Sequence, residues 1–133
     1  MEKAENLEGG CLCGAVRYRI DGPPTYSGNC HCRDCQRGIG ASVVTWIGAK
    51  YENFHVKRGE ISHCETSPGV NRGFCGHCGS SLTFGGDGWE ELGITAASLD
   101  DPSKTKPESN VYLDHRQPWQ PYDESLRNYP KFP

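Results

Sequence analysis

The sequence predicts an all-β domain, and three observations carry that reading. Apolar and polar residues alternate over short runs, as in Val16, Tyr18 and Ile20 against Arg17 and Arg19, which is the period of a strand with one buried face. Breaks rich in glycine and proline, such as Asp21-Gly22-Pro23-Pro24, interrupt these runs at close spacing. No stretch shows the helical apolar period of a convincing amphipathic helix. The chain has 133 residues and no linker long enough to divide it, so 1–133 is read as one domain.

Taken in order, residues 1–9 read as a solvated tail, and structure starts at Gly10-Cys11-Leu12-Cys13-Gly14, a metal knuckle feeding the strand that ends at Ile20. Thr25 to Cys32 runs extended into the cluster Cys30-His31-Cys32-Arg33-Asp34-Cys35, and Arg33 to Gly40 forms a short turn or a single helical turn. Ala41 to Ile47 is β-rich through Val43, Val44, Thr45 and Trp46. Two short strands follow, Phe54 to Lys57 and Ile61 to Glu65, either side of Arg58-Gly59-Glu60, and Pro68-Gly69 is a turn. Arg72 to Gly79 is a second knuckle, Ser81 to Phe84 leaves it as a strand, and Gly85 to Gly88 is a flexible turn. Glu91 to Ala97 and Asn110 to Leu113 are the last strands, with a loop at Asp100 to Lys104 between them. From Gln117 onward prolines and aromatics indicate an irregular C-terminal tail lying on the surface.

Leu, Ile, Val and Phe number only 22 of 133 residues, under the roughly 20 % share below which highly charged chains tend to disorder, so something besides a large core stabilises the fold. Eight cysteines are available for that task. The N-terminal Met1-Glu2-Lys3-Ala4-Glu5-Asn6 is polar and acidic and lacks the apolar segment of a secretory signal, which predicts a reducing, cytoplasmic location and thiols that bind metal rather than pair as disulfides. No apolar run approaches the roughly 18 residues of a membrane span; the best, Ile39 to Ala49, is a buried strand at most. The formal charge is -3, and seven zinc-bound thiolates against two zinc ions take it to about -6. An acidic chain without a basic run is a poor nucleic-acid binder.

The cysteines fall into Cys11 with Cys13, the triple Cys30/Cys32/Cys35, lone Cys64, and Cys75 with Cys78. A structural zinc needs four ligands, and the two pairs supply them, with Gly14, Gly76 and Gly79 permitting the tight turns around sulfur. The triple then has three ligands, and three protein ligands with an open fourth position is the arrangement of a catalytic zinc. Cys64 either closes that second site or is a small core residue. Grouping Cys32/Cys35 with Cys75/Cys78 as a zinc ribbon strands Cys11, Cys13 and Cys30, and the gap between those pairs exceeds the usual roughly 15 to 20 residues.

His31 and His77 are read as exposed fillers, and His55, His63 and His115 receive no role. Arg33 and Arg37 either pair with carboxylates of a ligand or are solvated. Trp46, Phe84 and Trp119 either wall a pocket or fill a thin core. No general acid or base stands out.

Three motifs together resemble the glutathione-dependent formaldehyde-activating enzyme family: Cys-x-Cys-Gly from Cys11, Cys-His-Cys-x-x-Cys-Gln-Arg-x-x-Gly-Ala from Cys30 to Ala41, and Phe-Cys-x-x-Cys-Gly-Ser-x-Leu from Phe74 to Leu82. The similarity continues through Ala97 to Pro102 and Pro118-Trp119, so it covers a core of about residues 8–123. It implies an all-β, Mss4-like zinc-bound fold, a structural zinc on Cys11, Cys13, Cys75 and Cys78, and a catalytic zinc on Cys30, Cys32 and Cys35. It implies as substrates a small thiol such as glutathione and a small aldehyde such as formaldehyde, joined or released by a carbon–sulfur lyase. The competing reading is a protein-binding module with two purely structural zinc sites. Monomer and homodimer both remain open.

Overall fold

The computed structural model describes residues 6–133 and is mostly β-sheet with one short α-helix. Its strands are β1 Leu7–Gly10, β2 Arg17–Ile20, β3 Ser27–Cys30, β4 Val44–Lys50, β5 Phe54–Arg58, β6 Ile61–Ser67, β7 Val70–Cys75, β8 Ser81–Gly86, β9 Glu91–Thr95, β10 Ser109–Val111 and β11 Arg127–Asn128. The helix, α1, spans Arg33–Ile39. Strands β1, β2 and β5 make a small antiparallel sheet; the large sheet has the order β11-β10-β3-β4-β9-β8-β7-β6. It is antiparallel except where β10 pairs β3 and β11 pairs β10.

Strand β4 explains the layering. It is central and apolar on both faces, and period-2 alternation sends Ile47 and Ala49 one way and Val44 and Trp46 the other. Ile47 and Ala49 join Leu82, Leu92 and Ile94 against Leu7, Tyr18 and Ile20 of the small sheet and Val16 just before β2, which is the main core. Val44 and Trp46 pack with Cys30, Cys35 and Val111 in a second cluster, flanked by Ile39, Phe84, Tyr112 and Tyr129. Each group of cysteines belongs to a different one of these two clusters.

The structure corrects several boundaries. The predicted tail over residues 1–9 contains β1: Leu7 is buried and pairs with Ile20 of β2, because the small sheet needs a third strand to close over Tyr18. Residues 1–5 lie outside the described residues. The stretch assigned wholly to the second knuckle begins as strand β7, paired on both sides by β6 and β8. Gly85 and Gly86, read as a flexible turn, end strand β8. They are there for close approach: a Cβ on Gly86 would lie 2.5 Å from the Trp89 ring, and one on Gly85 2.5 Å from the Tyr51 hydroxyl. Strand β4 starts at Val44 rather than Ala41 and runs on to Lys50, and Ala96 to Ser98 forms a 3-10 turn instead of extending β9.

The tail after Gln117 is irregular except for β11, which pairs in parallel with β10, and it is anchored. Asn110, fully buried on β10, donates to the Asp123 carbonyl at 2.9 Å and to Asn128 Oδ1 at 2.8 Å, while its own Oδ1 accepts from Asn29 at 3.1 Å. That side chain clamps the segment 123–128 to β3, next to the cysteine cluster.

Candidate metal centres

The two knuckles meet where the first and seventh strands end. After β1 the chain turns at Cys11-Leu12-Cys13-Gly14, with Gly14 in the left-handed region at φ 81°, and the Val16 N–H donates to Cys11 Sγ at 3.2 Å. After β7 it turns at Cys75 to Gly79, with Gly79 at φ 80°, and the His77 N–H donates to Cys75 Sγ at 3.4 Å. Gly76, expected to share that backbone role, has no positive φ; it makes room for the Ser62 side chain. Ser80 ties the knuckles together, its hydroxyl accepting from the Leu12 N–H at 3.0 Å and contacting Cys78 Sγ at 3.2 Å. The Ser80 hydroxyl and backbone N–H hold the Cys78 thiol down to about 5.

The Sγ atoms of Cys11, Cys13, Cys75 and Cys78 all lie within 4.8 Å of one another, with Cys11 and Cys13 3.6 Å apart and Cys13 and Cys75 3.8 Å apart. A tetrahedron with metal–sulfur bonds of about 2.3 Å has edges of about 3.8 Å, so the four thiols fit a zinc-sized ion.

The second group forms where β3 runs into α1. Cys30 ends β3, Cys32 is the helix N-cap, and Cys35 lies in the first turn. Capping here is done by sulfur: Cys32 Sγ accepts the Cys35 N–H at 3.2 Å, and Gly40 ends the helix in the left-handed region. The helix has seven residues, one turn more than the minimum expected from sequence. All three Sγ atoms lie within 4.8 Å of one another; Cys30 and Cys35 are buried and Cys32 is half-buried. The Cys30 and Cys32 thiols, with the Arg72 guanidinium, hold the Cys35 thiol well below the ordinary thiol range, and sharing its proton with Cys32 and Cys35 pushes the Cys30 thiol up. A cluster that already carries one thiolate needs to lose only two protons to become a three-sulfur donor set.

Gln36 fixes the helix from below. Its amide donates to the His31 carbonyl at 2.6 Å and the His115 carbonyl at 3.0 Å, and its Oε1 accepts from Arg33 at 2.5 Å and Gln117 at 3.0 Å. Four partners on one buried side chain make α1 part of the rigid frame.

Several expectations change at this point. His31 is not exposed: it is 1 % exposed, lies edge-on to the Tyr122 ring at 6.5 Å, and neither ring nitrogen has a hydrogen-bond partner. Burial, with the nearby Arg116 charge, lowers its pKa, so it is neutral, and the anchored tail is what covers it. Cys64 is neither a core residue nor, among the described residues, a member of either metal-ligand group; it is exposed on β6, the edge strand of the large sheet. Of the three aromatics, Trp46 and Phe84 pack at 5.6 Å between ring centres, while Trp119 is 71 % exposed. His77 is exposed, as read from sequence. Arg33 and Arg37 are exposed, and Arg33 serves Gln36.

The arginine at the three-cysteine group is Arg72, which sequence reading passed over. Its two terminal nitrogens lie 3.8 and 3.7 Å from Cys35 Sγ. Strand alternation held the signal: Cys75 and Gly73 face the main core, so Arg72 faces the opposite side, toward Phe84 and α1. Reading residues 72–79 as a knuckle concealed that period.

Two hollows flank the centres. An open groove of about 900 Å³ runs from Cys11, Cys78 and Ser80 past Ile39 and Val44 to Arg17 and Asp100, whose ion pair closes one side. It borders the four-cysteine group, not the three. A smaller hollow of about 200 Å³, lined by Gly38, Trp46, Cys64, Arg72 and Thr83, is the one whose arginine reaches Cys35.

Residues 6–115 match the family model described as glutathione-dependent formaldehyde-activating enzyme. A Halomonas elongata protein carrying that enzyme name provisionally is 34 % identical over 119 residues, covering 80 % of this chain and 73 % of the relative. A crystal structure of a Rhodobacter sphaeroides protein superposes with a TM-score of 0.60 at 20 % identity, covering 92 % of this chain and 98 % of that one, which establishes the shared fold. With the match spanning both cysteine groups, the chain belongs to the glutathione-dependent formaldehyde-activating enzyme family.

Proposed function

We propose that this chain is a zinc-dependent enzyme of the carbon–sulfur lyase type, forming or cleaving adducts between a small thiol, glutathione or one like it, and formaldehyde or another small aldehyde. Cys11, Cys13, Cys75 and Cys78 hold a structural zinc, and Cys30, Cys32 and Cys35 hold a catalytic one. The observation that carries the reading is the count of ligands: among the described residues no fourth His, Cys, Asp or Glu joins the three-cysteine group, and the one spare thiol, Cys64, lies outside it. Zinc with an open position supplies a Lewis-acidic site that favours the thiolate over the thiol of an incoming ligand.

The chain's own residues do the rest. Cys32, the half-buried member, leaves the group accessible from one side, while Cys30 and Cys35 close it from the other with Val44, Trp46 and Val111 behind them. This dry backing strengthens electrostatic interactions at the sulfurs. Gln36 and the Cys32 cap keep the three donors in register. Among the described residues no carboxylate or imidazole hydrogen-bonds any of the three thiols, so the contribution assigned to the protein is holding thiol and aldehyde together rather than moving protons between side chains. Seven working thiolates need a reducing compartment, which makes the cytoplasm the proposed location.

The test is ¹³C exchange spectroscopy on labelled formaldehyde and glutathione with the zinc-loaded protein. The proposal predicts faster exchange between hydrated formaldehyde and its thiol adduct, lost in C32S. No acceleration with glutathione or with a panel of other small thiols and aldehydes would overturn it.

A further inference from the structure

We propose that Arg72 compensates the charge of the three-cysteine site and thereby sets its preference for an anionic fourth ligand, a thiolate, over a neutral one. The inference rests on the open-site reading above and deepens it.

Arg72 is built into place from three sides. In the sheet register it stands between Cys64 of β6 and Phe84 of β8. Its guanidinium carbon lies 4.4 Å from the centre of the Phe84 ring, and its stem runs beside α1, where a Cβ on Gly38 would sit 3.6 Å from Arg72 Cδ. Both terminal nitrogens then converge on Cys35 Sγ at 3.7 and 3.8 Å, within range for hydrogen bonds to sulfur. The ion pairs among the described residues are Arg17 with Asp100 and Asp21 with Arg19 and His55; Arg72 has no carboxylate in range, so a metal-ligand sulfur is its anionic partner. The aromatic face on one side and the sulfur on the other hold the guanidinium in place.

The charge count shows what such a residue does. Three thiolates around a divalent ion leave one net negative charge, and a fourth thiolate would raise it to two in a pocket backed by Trp46, Phe84 and Val44. That build-up is costly away from water. A guanidinium bonded to one of the ligands cancels one charge and weakens that sulfur's donation to the metal, and both effects favour an incoming anion. A neutral ligand adds no charge and gains nothing comparable.

The test uses the protein loaded with cobalt(II), whose visible spectrum reports the fourth ligand at the three-cysteine site while the four-sulfur site provides a constant background. Wild type, R72M and R72K are titrated at one pH with 2-mercaptoethanol and, separately, with imidazole. Met preserves the stem that lies beside Gly38 and Phe84, so cobalt uptake and circular dichroism should match wild type. The expected result is 2-mercaptoethanol affinity at least about tenfold weaker in R72M, imidazole affinity unchanged, and most of the thiol affinity restored in R72K. Equal losses for both ligands, or none for either, would overturn the role given to Arg72 while leaving the open site intact. A wild-type spectrum unmoved by both ligands would overturn the open site itself, and this inference with it.

Discussion

The two cysteine groups are built from the same material by opposite means. The four-cysteine group joins two turns that are 62 residues apart between Cys13 and Cys75, each turn ending in a left-handed glycine. It sits at the edge of the main core, between the end of β1 in the small sheet and the end of β7 in the large one. The three-cysteine group is local, spanning a single strand-to-helix junction, and lies against the second, smaller cluster. One group closes a long loop and offers a metal four sulfur ligands from within the chain. The other gathers three sulfurs and an arginine, with no fourth donor among the described residues. Long-range closure is what stability needs; a locally assembled, incomplete donor set is what chemistry on a ligand needs.

This contrast is broken most directly by replacing one cysteine from each group. C75S should leave the chain largely insoluble or lower its melting temperature by at least about 15 °C, because metal binding at such sites is folding free energy. C32S should leave far-UV circular dichroism and melting temperature nearly unchanged and lower thiol–aldehyde exchange by on the order of a hundredfold or more. Equal destabilisation by the two substitutions would erase the division into a structural and a reactive group. A smaller effect separates the helix from its sulfurs: Q36A strips the His31 and His115 carbonyls of their buried donor and should cost about 1–3 kcal/mol, read by urea denaturation, while reducing cobalt affinity at the three-cysteine group alone.

The smallest expected effect lies beside the four-cysteine group. The Arg17 guanidinium, bonded to Asp100, holds that carboxyl below its usual 3.8. A carboxylate whose pKa is lower in the folded state contributes stability that is present above about pH 4 and is lost as pH falls through the folded value. The pair is partly exposed, so D100N should cost under about 1 kcal/mol at pH 7 and flatten the acid limb of the stability curve below pH 4. A loss at pH 7 as large as that of C75S would assign the attachment of the small sheet to this ion pair instead of to the metal.

How much of this was legible in the sequence depended on whether the information was local. Val16, Tyr18 and Ile20 announce their strand because alternation is a nearest-neighbour property. The partition of seven cysteines follows from ligand counting and matches the two groups found in space. Leu7 gave no such signal, since a lone leucine after a polar start acquires meaning only when β2 lies beside it. His31 lies against Tyr122, some ninety residues away along the chain, and Arg72 meets Cys35 only once β7 and β8 are paired and Gly38 of α1 lies beside the Arg72 stem. The glycines at 85 and 86 misled for the same reason: a residue without a side chain reads as freedom in sequence and as crowding in the fold.

The central claim, one closed metal site and one open, is tested most directly by zinc K-edge X-ray absorption on the fully loaded protein in the absence of added thiols. The account predicts an average of about 3.5 sulfurs per zinc, with a shell of lighter scatterers supplying the remainder. Four sulfurs on both zinc ions would contradict it, and the three-cysteine group would then be a second structural clamp.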